Sequence, residues 1–204
     1  MADGEWLEPG EPFQHAEPFE HGELYEHSVR LLARGRADDR APDARPAGPD
    51  RHWVALALTT AGDLAVTVFV TRGATGALQR HVQVLRRADA QWVPLGAHHA
   101  PASADALAER PPTDVLGGPV VVVESGAVAA GRGRRVRWAL LRTAREVRTV
   151  VVDDRAVPVP WHGHLVLGWR GRRHPKVLVP TGSTTAELAV VRLQLGGLGR
   201  STGR

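Results

Sequence analysis

The chain contains no cysteine, so disulfides, thiolate-bound zinc and thiol nucleophiles are excluded at once. Lysine is nearly missing too. Lys176 is the one lysine among 26 basic residues, and all the others are arginine. Coding bias in a GC-rich genome produces that skew, along with the wealth of Ala, Gly, Pro and Val. Aromatic residues make up only 5% of the 204, with a single tyrosine. The one stretch apolar enough to suggest a membrane span, Trp53 to Val70, carries Thr59-Thr60-Ala61-Gly62-Asp63 at its centre. That is turn composition, so the stretch reads as two strands of a hairpin. The opening Met1-Ala2-Asp3-Gly4-Glu5 is acidic and lacks the basic and apolar regions of a secretion signal, which leads to the expectation of a cytoplasmic protein.

Enzyme signatures are missing as well. Pro180-Thr181-Gly182-Ser183-Thr184-Thr185 has no lysine to serve a phosphate-binding loop. Ser125 lacks the preceding glycine of a nucleophile elbow. Asp153-Asp154 resembles a carboxylate pair only by adjacency, and a hairpin turn accounts for it.

What is present is a sharp division of charge. Residues 1–29 hold eight acidic residues and no Lys or Arg, whereas the rest of the chain sets all 26 basic residues against 14 acidic ones. The acidic segment contains a period-six repeat of four units, opened by Glu5, Glu11, Glu17 and Glu23, with histidine fifth at His15, His21 and His27. Loose metal binding by these histidines is weighed against a tandem duplication in a solvated tail, and the duplication is favoured. Prolines 9, 12 and 18 argue against helix in the first three units. Beyond Gly22, Leu24, Ser28, Leu31 and Leu32 fall at helical spacing and predict a short helix over 23–35. Gly35 to Asp50 has linker composition.

From His52 onward, short runs of alternating apolar residues are separated by turn signals every 8–12 residues. Leu64, Val66, Val68 and Val70 share one face, as do Leu78, Val82 and Val84, with Gln79, His81 and Gln83 facing away. Residues 98–118 read as a long loop, and Val120–Glu124 as a central strand. In the run from Arg135, Val136, Trp138 and Leu140 oppose Arg135 and Arg137. The pattern predicts an all-β fold, a β-sandwich or irregular barrel of about ten short strands over 51–196. An acidic arm with one short helix and a linker precedes it over 1–50, and a tail follows over 197–204. The closing run, Thr149–Val152, Val157–Val159, His162–Trp169 and Pro175–Val177, resembles uncharacterised actinobacterial all-β proteins. The resemblance covers about 45 residues, implies β structure, and supplies no catalytic residue.

Two clusters are candidate sites. His162 and His164 sit two residues apart, about 7 Å on a strand face, a spacing that suits two ligands of one metal, with His174 as a third. The competing reading is an exposed strand face whose packing falls to Trp161 and Trp169. Arg132, Arg134, Arg135, Arg137, Arg142, Arg145 and Arg148 form the densest basic run, a candidate phosphate-binding surface. Against nucleic acid stands the placing of Trp138 on the face opposite Arg135 and Arg137, away from any stacking role. The expectation is a non-enzymatic binding or interaction module without a cofactor, meeting a protein partner or a second copy of itself. A histidine-lined metal site or enzyme is the alternative, and an accessory nucleic-acid binder using the arginine run is the second alternative.

Overall fold

The computed structural model describes residues 18–37, 53–73, 75–131, 133–180 and 188–191, with backbone alone for 18–21 and 188–191. The first repeat units, the linker over 38–52 and the tail over 197–204 lie outside the described residues. The elements are α1 (Pro18–Arg34), β1 (Trp53–Ala61), β2 (Leu64–Arg72), β3 (Leu78–Ala88), β4 (Gln91–Pro101), α2 (Thr113–Leu116), β5 (Val120–Ala129), β6 (Arg135–Thr143), β7 (Thr149–Val152), β8 (Arg155–Pro158), β9 (His164–Arg170), β10 (Val177–Pro180) and β11 (Leu188–Val191). The fold is all-β, with every described strand pair antiparallel. Among the described residues no helix is long and apolar enough to cross a membrane.

The strands form three sheets rather than the two of a simple sandwich. Sheet one is the meander β1-β2-β3-β4, sheet two is β5-β6-β9, and sheet three is β11-β10-β7-β8. The turns that drive the hairpins are short and chemically suited to their backbone. Gly62 (φ 61°), Asp89 (φ 55°), Asp153 (φ 45°) and Asp154 (φ 65°) take left-handed conformations that glycine and aspartate tolerate better than most residues. Sheet two is the middle layer. Its Val136, Trp138, Leu140 and Val166 pack against Leu56, Val66, Val68, Val82 and Val84 of sheet one. Its opposite face, Ala139, Leu141, Leu165, Leu167 and Trp169, packs against Val150, Val177 and Val179 of sheet three. Burial on both sides explains why Trp138-Ala139-Leu140-Leu141 reads as an unbroken apolar run. The central strand is therefore β6. β5 is an edge strand, and the expected long loop starts only at Ala102, because β4 runs on through His98 and His99.

α1 is longer than its periodicity predicts. It begins at Pro18, a residue tolerated in the first turn because no helical carbonyl awaits its missing N–H. It ends at Gly35, whose φ of 76° and N–H bond to the Leu31 carbonyl at 2.9 Å make a left-handed cap. Although its sequence reads as part of the arm, the helix covers the outer face of sheet one. Leu24 and Leu31 pack with Ala55 and Phe69, and burying two leucines contributes roughly 1.5–3 kcal/mol each. The hydroxyl of Ser28 meets that of Thr67 at 2.7 Å, and the Tyr25 hydroxyl donates to the Trp92 carbonyl at 2.9 Å. His81 and Gln83, whose alternation turns them away from the core, are consequently buried under this helix.

Candidate functional site

Several strands that line the interface between sheets one and two carry a polar residue toward the same region. Arg80 on β3, Glu124 on β5, Arg142 on β6 and His164 on β9 all occupy inward positions beside apolar core residues. Arg142 and His164 are direct cross-strand partners. The Arg80 guanidinium donates to Glu124 Oε2 at 2.6 Å through Nε, and His98 Nε2 lies 2.5 Å from Glu124 Oε1. Burial pushes the Glu124 carboxyl up, yet the contacts with His98 and Arg80 together outweigh it and hold the group below its ordinary value. Arg142 is buried and bonds Asp105 at 3.1 Å and the Glu109 carbonyl at 3.4 Å.

His162 and His164 are both fully enclosed, so neither decorates an exposed strand face. His162 belongs to the turn before β9, and its Nδ1 accepts the backbone N–H of His164 at 3.0 Å, which places the proton of the neutral ring on Nε2. The rings stand 5.4 Å apart. Burial pushes the His164 imidazole well below the ordinary histidine range, and His162, Arg142 and Arg80 push the same way. His164 is therefore neutral at pH 7. The sign of the linkage follows: stability is complete above the unfolded value of 6.5 and declines as pH falls below it, because the unfolded chain takes up a proton that the fold refuses. His164→Gln is expected to flatten the urea midpoint between about pH 7.5 and about pH 5.5. An unchanged pH dependence in that variant would assign the acid sensitivity elsewhere.

His174 does not join the pair. It lies in the loop after β9 and packs on Trp169 at 5.5 Å, on the sheet-three side. Along β9, Trp169 stands about 17 Å from His164 at roughly 3.3 Å per residue. Among the described residues no group of three or more histidine or carboxylate side chains is placed to hold a metal. A second histidine pair sits under α1, where His81 bonds Thr71 at 2.8 Å and His99 at 2.7 Å through facing Nδ1 atoms. The facing rings share a hydrogen bond, one Nδ1 donating and the other accepting.

The arginine run is also dispersed. Arg132 is outside the described residues. Arg134 and Arg135 stand at the start of β6, Arg137 is half-buried within it, and Arg142 is buried and paired with Asp105. Arg145 and Arg148 lie past the far end, about 30 Å from Arg135 at roughly 3.3 Å per residue, and Arg145 bonds Glu146 at 3.2 Å. The sequence had one neglected sign of the buried network. Arg80 interrupts the inward series Leu78, Val82 and Val84, and a charge at an inward position demands a partner.

Beside His164 a cleft of about 570 Å³ opens. Its walls are consecutive residues of β1 from Leu56 to Thr60, the end of β8 with Val159 and Pro160, and β9 from His164 to Leu167. Neighbours in a strand alternate faces, so consecutive residues line one cleft only when it runs along the strand's edge. Each of the three sheets contributes an edge strand here: β1, β8 and β9. The walls are aliphatic, with Thr59, Thr60, Arg36 and His164 as the polar exceptions. No protein-family model, curated protein or solved structure matches the chain.

Proposed function

We propose that this chain is a cytoplasmic binding module, not an enzyme, that holds an extended apolar segment of a partner protein in the cleft between β1, β8 and β9. The meeting of three sheet edges at one aliphatic cleft supports this reading. Among the described residues no backbone ladder joins β1 to β9. Edge backbone groups recruit an added strand, while alternate side chains of that strand enter the apolar walls. Behind the wall residue His164 the charged groups are engaged with each other, Arg80 with Glu124 and Arg142 with Asp105, and His164 itself is neutral, while Arg36 is the charged residue of the cleft lining. The lack of cysteine suits a reducing compartment.

Selection from a displayed library of random peptides tests the proposal. Sequences alternating apolar and polar residues are expected to be enriched. Thr60→Glu with Pro158→Glu puts two charges at exposed rim positions and is expected to weaken the selected peptides at least about tenfold. Enrichment of no peptide, or binding indifferent to the double variant, overturns the assignment.

A further inference from the structure

The end of the molecule where the β1–β2 and β3–β4 turns meet gathers arginines from three separate parts of the chain. Arg86 and Arg87 end β3, Arg134 and Arg135 open β6, and Arg170 ends β9, followed by Arg172 and Arg173. The pairings bring them to one pole: Leu64 faces Arg86, Ala129 faces Arg135, and Val136 faces Arg170. The Asp63 carbonyl accepts the Arg87 N–H at 2.7 Å, and the Asp63 carboxylate holds Arg170 at 2.8 Å. Arg86 and Arg134 line a common groove of about 600 Å³ whose other walls include Leu95, Ala129, Ala130 and Gly131.

Several described arginines elsewhere in the fold are engaged with carboxylates, as in Arg80–Glu124, Arg142–Asp105 and Arg145–Glu146, and others with backbone carbonyls, as Arg72 with Gly76 and Arg110 with Val147. Among the described residues at this pole Arg170 alone has such a partner. Arg86, Arg87, Arg134, Arg135, Arg172 and Arg173 are all exposed and make no ion pair among the described residues. Unpaired like charges held together repel one another, and an external polyanion relieves that repulsion. Guanidinium groups match phosphate oxygens two bonds at a time. The described groove walls hold no aromatic ring for stacking and no amide or carboxylate side chain for a base edge. Such a surface suits contacts to a phosphate backbone, which position a nucleic acid and carry no sequence information.

We propose that this arginine pole binds the phosphodiester backbone of nucleic acid without regard to sequence, by charge and not by stacking. This surface differs from the arginine run singled out in the sequence, sharing with it Arg134 and Arg135 and adding five residues from β3, the end of β9 and the loop after it. It lies at a different part of the fold from the cleft, so the two proposals stand or fall separately. The test is fluorescence anisotropy of the full chain with a labelled single-stranded oligonucleotide of about 20 nucleotides, titrated from about 50 to about 500 mM salt. With four to six phosphates engaged, the slope of log affinity against log salt is expected near −3 to −4. Arg86→Glu with Arg134→Glu should weaken binding at least about tenfold, whereas Arg145→Glu with Arg148→Glu should change it less than about twofold. All four positions are exposed, and unchanged circular dichroism melts verify folding. Equal loss in both double variants, no binding at the lowest salt, or retention of a labelled poly-glutamate peptide in preference to the oligonucleotide overturns the proposal.

Discussion

Trp138→Ala is expected to lower the unfolding free energy by about 3–5 kcal/mol, the cost of emptying an aromatic site in a packed core. Trp138 is 1% exposed and occupies the inner face of the central strand. Its cross-strand neighbours are Gly126 on β5 and Gly168 on β9. A Cβ at Gly126 would lie 2.8 Å from the indole Cζ2, so the ring lies directly over that glycine backbone. A Cβ at Gly168 would meet Val66 Cγ2 at 2.7 Å, so sheet one packs directly on that glycine backbone. With glycines on both flanks neither cross-strand neighbour has a side chain to fill the space. Urea denaturation at neutral pH measures it, and a loss under about 1.5 kcal/mol would mean that the layers close over the gap. Gly126→Ala is expected to destabilise as well, because the indole must move.

The second large effect is electrostatic. Glu124→Gln keeps the shape of the side chain but leaves the Arg80 guanidinium, 9% exposed, without its counter-charge. Removing one member of such a pair costs about 3 kcal/mol, mostly through the charge left behind. Replacing both residues, with Arg80→Met and Glu124→Leu, should recover most of that loss, because neither charge then remains in the interface. The same pair makes a pH prediction. The folded Glu124 carboxyl lies below its ordinary value of 4.5, so its contribution is complete above that pH and fades as the pH falls below it. Wild type and Glu124→Gln should therefore converge in acid. Parallel curves down to about pH 3 would mean that the carboxylate gains nothing from the fold.

The hairpins were legible because their signals are local. Gly62-Asp63, Asp89-Ala90 and Asp153-Asp154 each mark a two-residue turn between strands whose alternation identifies the inward face. Alternation does not say what lies across the outward face. His81 and Gln83 look solvent-facing until α1 covers them, and Ala139, Leu141 and Leu165 need a third sheet to bury their side of the middle layer. The same limit explains the site residues. His162, His164 and Arg142 were grouped by proximity in sequence with exposed positions, and long-range packing buries all three. The arginine pole draws on Arg86, Arg134 and Arg170, separated by dozens of residues and united only by strand pairing, so no sequence window contains it.

The layering also bears on how the chain reaches this state. Sheet one is a meander of tight hairpins, so its contacts close short loops and form at small entropic cost. Sheet two cannot assemble that way. β9 pairs with β6 across the 20 residues between Thr143 and His164, which hold the β7–β8 hairpin of the third layer. Until that pairing is made, β6 alone opposes the inner faces of the meander and of sheet three, and the places of Val166, Leu165, Leu167 and Trp169 in the two cores stay empty. One strand pair thus completes two cores, which ties the layers into a single cooperative unit.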